Sequence, residues 1–214
     1  MYSADIKKIA RHFVPADFTV TDWNALEPYF KTLLDRDITT KDKLEQWLKD
    51  QGELEAVVNE DFCWRQIKMT CDTTNPALEE AFNFFCTDIQ PHIQHYADLL
   101  NKKLVNHPLA ATLQEKEYFT YLRSIKKNIE LFREENIPLQ SELSVMQQQF
   151  GVISSKMTVT INGQEYTLQQ AAKFLESPDR NLREEAYRKI QERRLQDKEP
   201  LNELFNTLMA KRNV

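Results

Sequence analysis

The chain has 214 residues, a formal charge of −5, 41% hydrophobic and 29% charged residues, an ordinary composition for a globular protein of one or two domains. A pI near 5.5 excludes the basic footprint expected of a nucleic-acid binder, and no window reaches the run of roughly twenty apolar residues that a membrane span needs. Only Gly52, Gly151 and Gly163 are glycines, which excludes glycine-rich phosphate loops and dinucleotide-binding turns.

The dominant period along the chain is helical. A first helix is entered through Val20-Thr21-Asp22, and its stripe is Trp23, Leu26, Tyr29, Phe30, Leu33 and Leu34. Thr40 caps the next, with Leu44, Trp47 and Leu48 on its apolar face. After Gly52 a second periodic run continues through Leu54, Val57, Val58, Trp64 and Ile67, until Asn75-Pro76 breaks it. From Leu78 a single stripe passes through Phe82, Phe85, Ile89, Ile93, Tyr96 and Leu100. Pro91 lies inside it, and an interior proline removes a backbone hydrogen bond and crowds the preceding turn, so this helix is expected to kink or divide near Gln90. Beyond His107-Pro108, Tyr118, Leu122, Ile125, Ile129 and Phe132 mark another helix that Asn136-Ile137-Pro138 interrupts. A further helix runs through Leu143, Met146 and Phe150.

The pattern then changes. Val159, Ile161, Tyr166 and Leu168 alternate with polar residues around Asn162-Gly163, a dipeptide suited to positive φ, and predict a tight β-hairpin. A short helix with Leu168, Ala171, Ala172 and Leu175 follows. Ser177-Pro178 predicts the cap and first turn of another, with Leu182, Ala186, Tyr187 and Ile190 as its apolar face. Basic and acidic residues interleave from Asp179 to Glu199, and the Glu184/Arg188 and Glu185/Lys189 spacings make this a self-paired solvent face. Leu201, Leu204, Phe205, Leu208 and Met209 form a last stripe. The expected fold is mainly α, an irregular multi-helix assembly with one small β-hairpin near residues 157–168. The expected division is an N-terminal helical domain at 1–155 and a hairpin with following helices at 156–214.

No residue presents itself as catalytic or as a metal ligand. His12, His92, His95 and His107 are the only histidines, and none is followed by glutamate, so no His-Glu-x-x-His zinc motif exists. His92 and His95 are three apart without an intervening carboxylate. No glutamate stands three residues before a histidine, which excludes the di-iron bundle pattern. Cys63, Cys71 and Cys86 are odd in number and lack Cys-x-x-Cys spacing; with no signal-peptide pattern at the N-terminus, a reducing, cytoplasmic setting is expected. Cys71 has no evident base. Trp23, Trp47, Trp64, Phe82, Phe85 and Tyr96 fall at helical spacing and read as core.

The ribbon TVTINGQEYTL, the helix start SPDR and the charged run REEAYRKIQERR occur in that order, after DFTVTDW, TCDTTN and FREENIPL upstream. Together they resemble the region before the catalytic domain in oligoendopeptidase F-like enzymes, zinc metallopeptidases of the thimet oligopeptidase family. The resemblance implies an almost all-helical enzyme with zinc at the floor of a deep channel. This chain would be the N-terminal, non-catalytic wall, truncated before the His-Glu-x-x-His domain and limiting access to short unfolded peptides. It implies no cofactor in this chain, zinc in the parent protein, and two partners, the missing C-terminal catalytic domain and short peptides. Asn162 and Gly163, at the hairpin tip, then either reach toward the substrate channel or merely pad a junction. Two other readings stand beside it: a freestanding helical peptide-binding or scaffold protein without catalysis, and an enzyme of unrelated mechanism using Cys71, His92 or His95.

Overall fold

A computed structural model describes residues 10–113 and 115–213. Its helices are α1 (Trp23–Asp35), α2 (Lys41–Cys71), α3 (Pro76–Phe84), α4 (Gln90–Asn106), α5 (Glu115–Leu131) and α6 (Asn136–Ser155). The strands β1 (Thr158–Ile161) and β2 (Gln164–Thr167) follow, then α7 (Leu168–Ala171), α8 (Arg180–Gln196) and α9 (Lys198–Arg212). The fold is mainly α with a single two-stranded antiparallel hairpin among the described residues, as the periodicities predict.

The chain forms two compact units. The first takes the described residues up to Lys68 together with Glu80–Pro138, and the second takes Met69–Glu79 with the described residues from Leu139 onward.

In the first unit, Asp22 caps α1 by accepting the N–H of Ala25 at 3.0 Å, and Leu26, Phe30 and Leu33 are buried. The other end of α1 is closed by side chains from two other helices. Lys103 of α4 donates to the carbonyls of Leu33, Leu34 and Arg36 at 3.0, 2.6 and 2.6 Å. The fully buried Trp47 of α2 donates its indole N–H to the Leu33 carbonyl at 2.9 Å. Carbonyls at a helix C-terminus have no partner within the helix, and here an ammonium and an indole supply one. Burial is the main influence on Lys103 and holds its pKa below the ordinary lysine value.

Helix α2 runs unbroken through Gly52, with Thr40 accepting the Lys43 N–H at 3.3 Å. Its second half corrects the sequence expectation. Trp64 and Ile67, read as part of the apolar run, are 53% and 47% exposed. The buried row Leu44, Trp47, Gln51, Leu54, Val58 steps by three or four residues, and its continuation falls on Phe62 and Arg65. Arg65 holds that position by binding Asp61 at 2.6 Å, the Val20 carbonyl at 2.8 Å and the Ala81 carbonyl at 3.0 Å.

The long stripe from Leu78 divides at Gln90 as expected, by a π turn. Phe85–Ile89 is π-helical, the Gln90 N–H bonds the Phe85 carbonyl, and α4 restarts with Pro91 in its first turn, where a missing N–H costs nothing.

The second unit packs Met157, Val159, Ile161, Leu168, Ala171, Ala186 and Ile190 into a small core. The cap of α8 is Asp179, not Ser177: its carboxylate accepts the Asn181 N–H at 2.9 Å, while the Ser177 hydroxyl accepts the Asp179 N–H at 3.2 Å. Leu182, Ala186 and Ile190 form a straight row toward the core, and Tyr187, expected on the same face, lies one position off it and is 58% exposed. The charged face pairs as predicted, Glu184 with Arg188 at 2.9 Å and Glu185 with Lys189 at 2.6 Å. The charged run is broken at Asp197, which separates α8 from α9. Of the last stripe only Leu204 is buried, and Phe205 is 60% exposed.

Emptying the Trp47 site removes both packing and a donor. Trp47→Ala is expected to cost about 3–5 kcal/mol, and Lys103→Met, which keeps the aliphatic stem, about 1–3 kcal/mol. Urea unfolding followed by circular dichroism checks both, and a wild-type midpoint for Lys103→Met would show that the α1 carbonyls do not need the ammonium.

Candidate functional site

The residues proposed from sequence, Asn162 and Gly163, form the exposed hairpin tip. Both have positive φ, 52° and 75°, the pair that a two-residue type I′ turn requires, and Ile161 faces Gln164 across the last rung. Val159 and Ile161 point into the core of the second unit. Lys189 of α8 donates to the Thr160 carbonyl at 2.6 Å, and Thr158 donates to the Glu165 carboxylate at 2.6 Å. The ribbon is therefore anchored on α8 through Thr160, and its tip at Asn162 and Gly163 is exposed.

The histidines serve local structure. His107 accepts the Leu109 N–H at 3.2 Å through Nδ1 and starts a 3-10 turn. The exposed His92 ring stacks on Trp23 with centroids 4.9 Å apart, and Nδ1 of His95 lies 3.5 Å from the Glu134 carboxylate. Among the described residues no group of three or more His, Cys, Asp or Glu side chains is placed to hold a metal ion. Cys71 is exposed in the second unit, whereas His92 and His95 belong to the first. The buried thiol is Cys86, and burial pushes it up to about 11, so it is no nucleophile at neutral pH.

Residues 13–132 match the family described as Peptidase M3 N-terminal domain. The chain belongs to that family. Solved structures extend the likeness over almost the whole chain. One is a chain assigned as an oligoendopeptidase F, with TM-score 0.82 and 20% identity, covering 95% of this chain. Another, assigned as an oligoendopeptidase F from Bacillus anthracis, has TM-score 0.82 and 17% identity over 92% of this chain. A third, PZ peptidase A with an inhibitor, has TM-score 0.81 and 17% identity over 94% of this chain. This chain spans 36% of the length of each. No curated protein sequence matches it.

Two features of the M3 N-terminal domain escaped the sequence reading. The first is Glu53, whose carboxylate accepts three successive backbone N–H groups, from His12, Phe13 and Val14, at 2.7–3.0 Å. Burial of Glu53 acts to raise its pKa, but the Val14, His12 and Phe13 donors together outweigh it and hold the carboxyl below the usual value. The second is a cavity of about 320 Å³ lined by residues of α1, α2, the π turn and α4. Gln51, 3% exposed, and Gln90 are among its lining residues, and the Oε1 of each is shut off from solvent without a hydrogen-bond partner. An unpartnered buried acceptor costs about 1–3 kcal/mol and is uncommon. The sequence signal was present: Gln51 is the polar member of the row Leu44, Trp47, Gln51, Leu54, Val58.

Gly163→Ala forces a side chain into a left-handed conformation and is expected to cost about 1–2 kcal/mol, measured as a lowered thermal midpoint. Glu53 supports a pH prediction. Its folded pKa is depressed, so its contribution is full above the unfolded value of about 4.3 and is lost as pH falls through the folded value. Glu53→Gln should therefore destabilise by about 1–2 kcal/mol at pH 7 and by less at pH 3; an equal loss at both would refute the charge's role.

Proposed function

We propose that this chain is the N-terminal, non-catalytic wall of a zinc-dependent oligoendopeptidase that cleaves short unfolded peptides. The observation behind this reading is the fold likeness, which spans at least 92% of this chain and only 36% of two chains assigned as oligoendopeptidase F and of PZ peptidase A. The remaining length of such an enzyme is where zinc and its general base would lie. In the described residues, His92 stacks on Trp23, His107 accepts the Leu109 N–H, Nδ1 of His95 lies beside the Glu134 carboxylate, and His12 is held through its main-chain N–H by Glu53. Large apolar side chains left exposed, among them Trp64, Phe150 and Phe205, support a further protein surface. The wall acts by exclusion: an extended peptide enters a narrow cleft that a folded domain cannot. In the cytoplasmic setting proposed for the enzyme, that protects folded proteins from it.

The Asn162-Gly163 tip is assigned to the substrate channel on the basis of its exposure and of the anchor of its strand at Thr160. A rigid ribbon ending in a turn with little side-chain bulk is suited to approach a peptide backbone closely.

The 214-residue chain alone should hydrolyse no peptide, whereas the complete enzyme should cleave peptides and lose that activity to a zinc chelator. Cleavage by the chain alone, or chelator-resistant cleavage by the complete enzyme, would overturn the reading. Within the complete enzyme, deleting Asn162 and Gly163 should shift the preferred peptide length; an unchanged product pattern would remove the tip from the channel.

A further inference from the structure

The cavity of the first unit is walled by apolar side chains from four segments. Two helix faces meet in it: Leu54, Val58 and Phe62 of α2 step by four residues, and Ile93, Ala97 and Leu100 of α4 step by four and three. Phe30 of α1 and Phe85 of the π turn join them, and Phe30, Leu54, Phe85 and Leu100 are all 3% exposed or less. Single π turns occur often at functional sites. This one sets Phe85 beside Phe62, with ring centroids 5.1 Å apart.

The polar members of the lining do not select a charge. Nε2 of Gln51 donates to the Glu55 carboxylate at 2.9 Å, and the Oε1 atoms of Gln51 and Gln90 are shut off from solvent. Oδ1 of Asn59 accepts the Cys63 thiol at 3.8 Å, and Gln94 is engaged as well. Glu55 and Asn59 are exposed, each one position along from the buried Leu54 and Val58, so their polar ends belong to the solvent side. What the walls offer an occupant is apolar contact, and the three phenyl rings among them offer more to another ring, because aromatic pairs gain beyond their buried area in offset and edge-to-face arrangements. Size narrows the class further. A buried apolar cavity of about 150 Å³ holds benzene, and this one, at about 320 Å³, has room for two fused rings. A rigid bicycle also gives up less conformational freedom on binding than a flexible chain of equal volume.

We infer that this cavity binds a neutral, apolar bicyclic aromatic group of about the size of indole. Such a group is offered by a free small molecule or by the tryptophan side chain of a peptide. The inference stands on the first unit alone and does not depend on the peptidase reading.

The test titrates the 214-residue chain with indole, N-acetyl-tryptophanamide, benzene and adenine, following the methyl resonances of Leu54, Val58, Ile93 and Leu100. The exposed Leu131 and Leu195 serve as reporters of adsorption to the surface. Saturable shifts at the cavity methyls with indole or the tryptophan amide are expected, with Kd on the order of 1 mM, while Leu131 and Leu195 stay unmoved. Benzene, which leaves half the volume unfilled, should bind at least about tenfold more weakly. Adenine has the same bicyclic shape with a polar edge that must give up water, and it should be weaker by at least about the same factor. Ala97→Phe, which places a ring in the lumen, should weaken indole at least about tenfold. Whichever of indole and the tryptophan amide binds more tightly identifies the source of the group. The inference fails if neither shifts the cavity methyls, if benzene or adenine binds as tightly, if Leu131 and Leu195 shift in parallel, or if Ala97→Phe binds indole like wild type. Should Ala97→Phe not fold, the comparison of ligands on the wild-type chain decides the matter by itself.

Discussion

The end of α1 is the point on which the first unit depends. A helix buried at its C-terminus leaves carbonyls that water cannot reach, and each must find a donor from elsewhere in the fold. Here Trp47 and Lys103 supply those donors, and the Lys103 ammonium also lies 5.9 Å from the centroid of the Trp47 ring. Because Trp47 is on α2 and Lys103 on α4, satisfying α1 fixes the positions of two other helices. Arg36, the residue just past α1, is held in turn by Asp50 of α2 at 2.5 Å, and Gln46 donates to the other oxygen of Asp50 at 2.7 Å. A set of polar contacts thus gives directional precision to a core whose apolar members, from Val14 to Ile125, would tolerate many arrangements. Glu53 does the same at the entry to the domain, and Arg65 at the junction of α2 with α3 and the approach to α1.

The second unit solves a different problem. A two-stranded ribbon is marginal by itself, and β1 and β2 have only each other for backbone pairing. The ribbon is stabilised by its side chains, with Val159 and Ile161 set against Ala186 and Ile190 of α8. Lys189, beside that row, reaches back to the Thr160 carbonyl, and Arg193, one turn further, reaches the Lys156 carbonyl at 3.2 Å. The charged helix that looks from composition like a solvent face is therefore also the clamp of the hairpin. The exposed pairs Glu184–Arg188 and Glu185–Lys189 add little stability, but Glu185 helps keep Lys189 in reach of the ribbon, and the half-buried pair with Asp197 does the same for Arg193.

Much of this was legible in the sequence. Alternation around Asn162-Gly163 specified a tight hairpin with positive φ at its turn, Pro91 located the division near Gln90, and Val20-Thr21-Asp22 and Thr40 marked helix starts. The family resemblance rested on the order of short strings, and it was the chain-wide fold likeness that they anticipated. What failed was the assignment of individual apolar residues to the core. Trp64, Ile67, Tyr187 and Phe205 are at plausible spacing, but a helix of 31 residues such as α2 presents more than one candidate stripe. The stripe that is buried was marked by its polar members, Gln51 and Arg65, which a hydrophobicity count discards. The cap of α8 differs for a local reason: Ser177 and Asp179 compete two residues apart, and the carboxylate of Asp179 is the group that reaches the open N–H.

Polar residues on buried helix faces are therefore the informative positions in this domain, because each must be accounted for by a partner. Asp98, 6% exposed, pairs with Lys102 at 2.5 Å through one oxygen. Arg65 ties three segments together, and Lys103 caps α1. Gln148 leaves both its amide oxygen and its nitrogen unpartnered, so it demands no particular charge from whatever meets it. Gln51 differs from all of these. Its nitrogen is committed to Glu55, its oxygen is unpaired, and it lines an apolar volume with no cation in the walls. An apolar isostere would avoid the cost of that unpaired acceptor but would take the amide donor away from the Glu55 carboxylate. The Gln51 oxygen is shut off from solvent, so the contact with Glu55 is kept at the cost of one unpaired acceptor, about 1–3 kcal/mol.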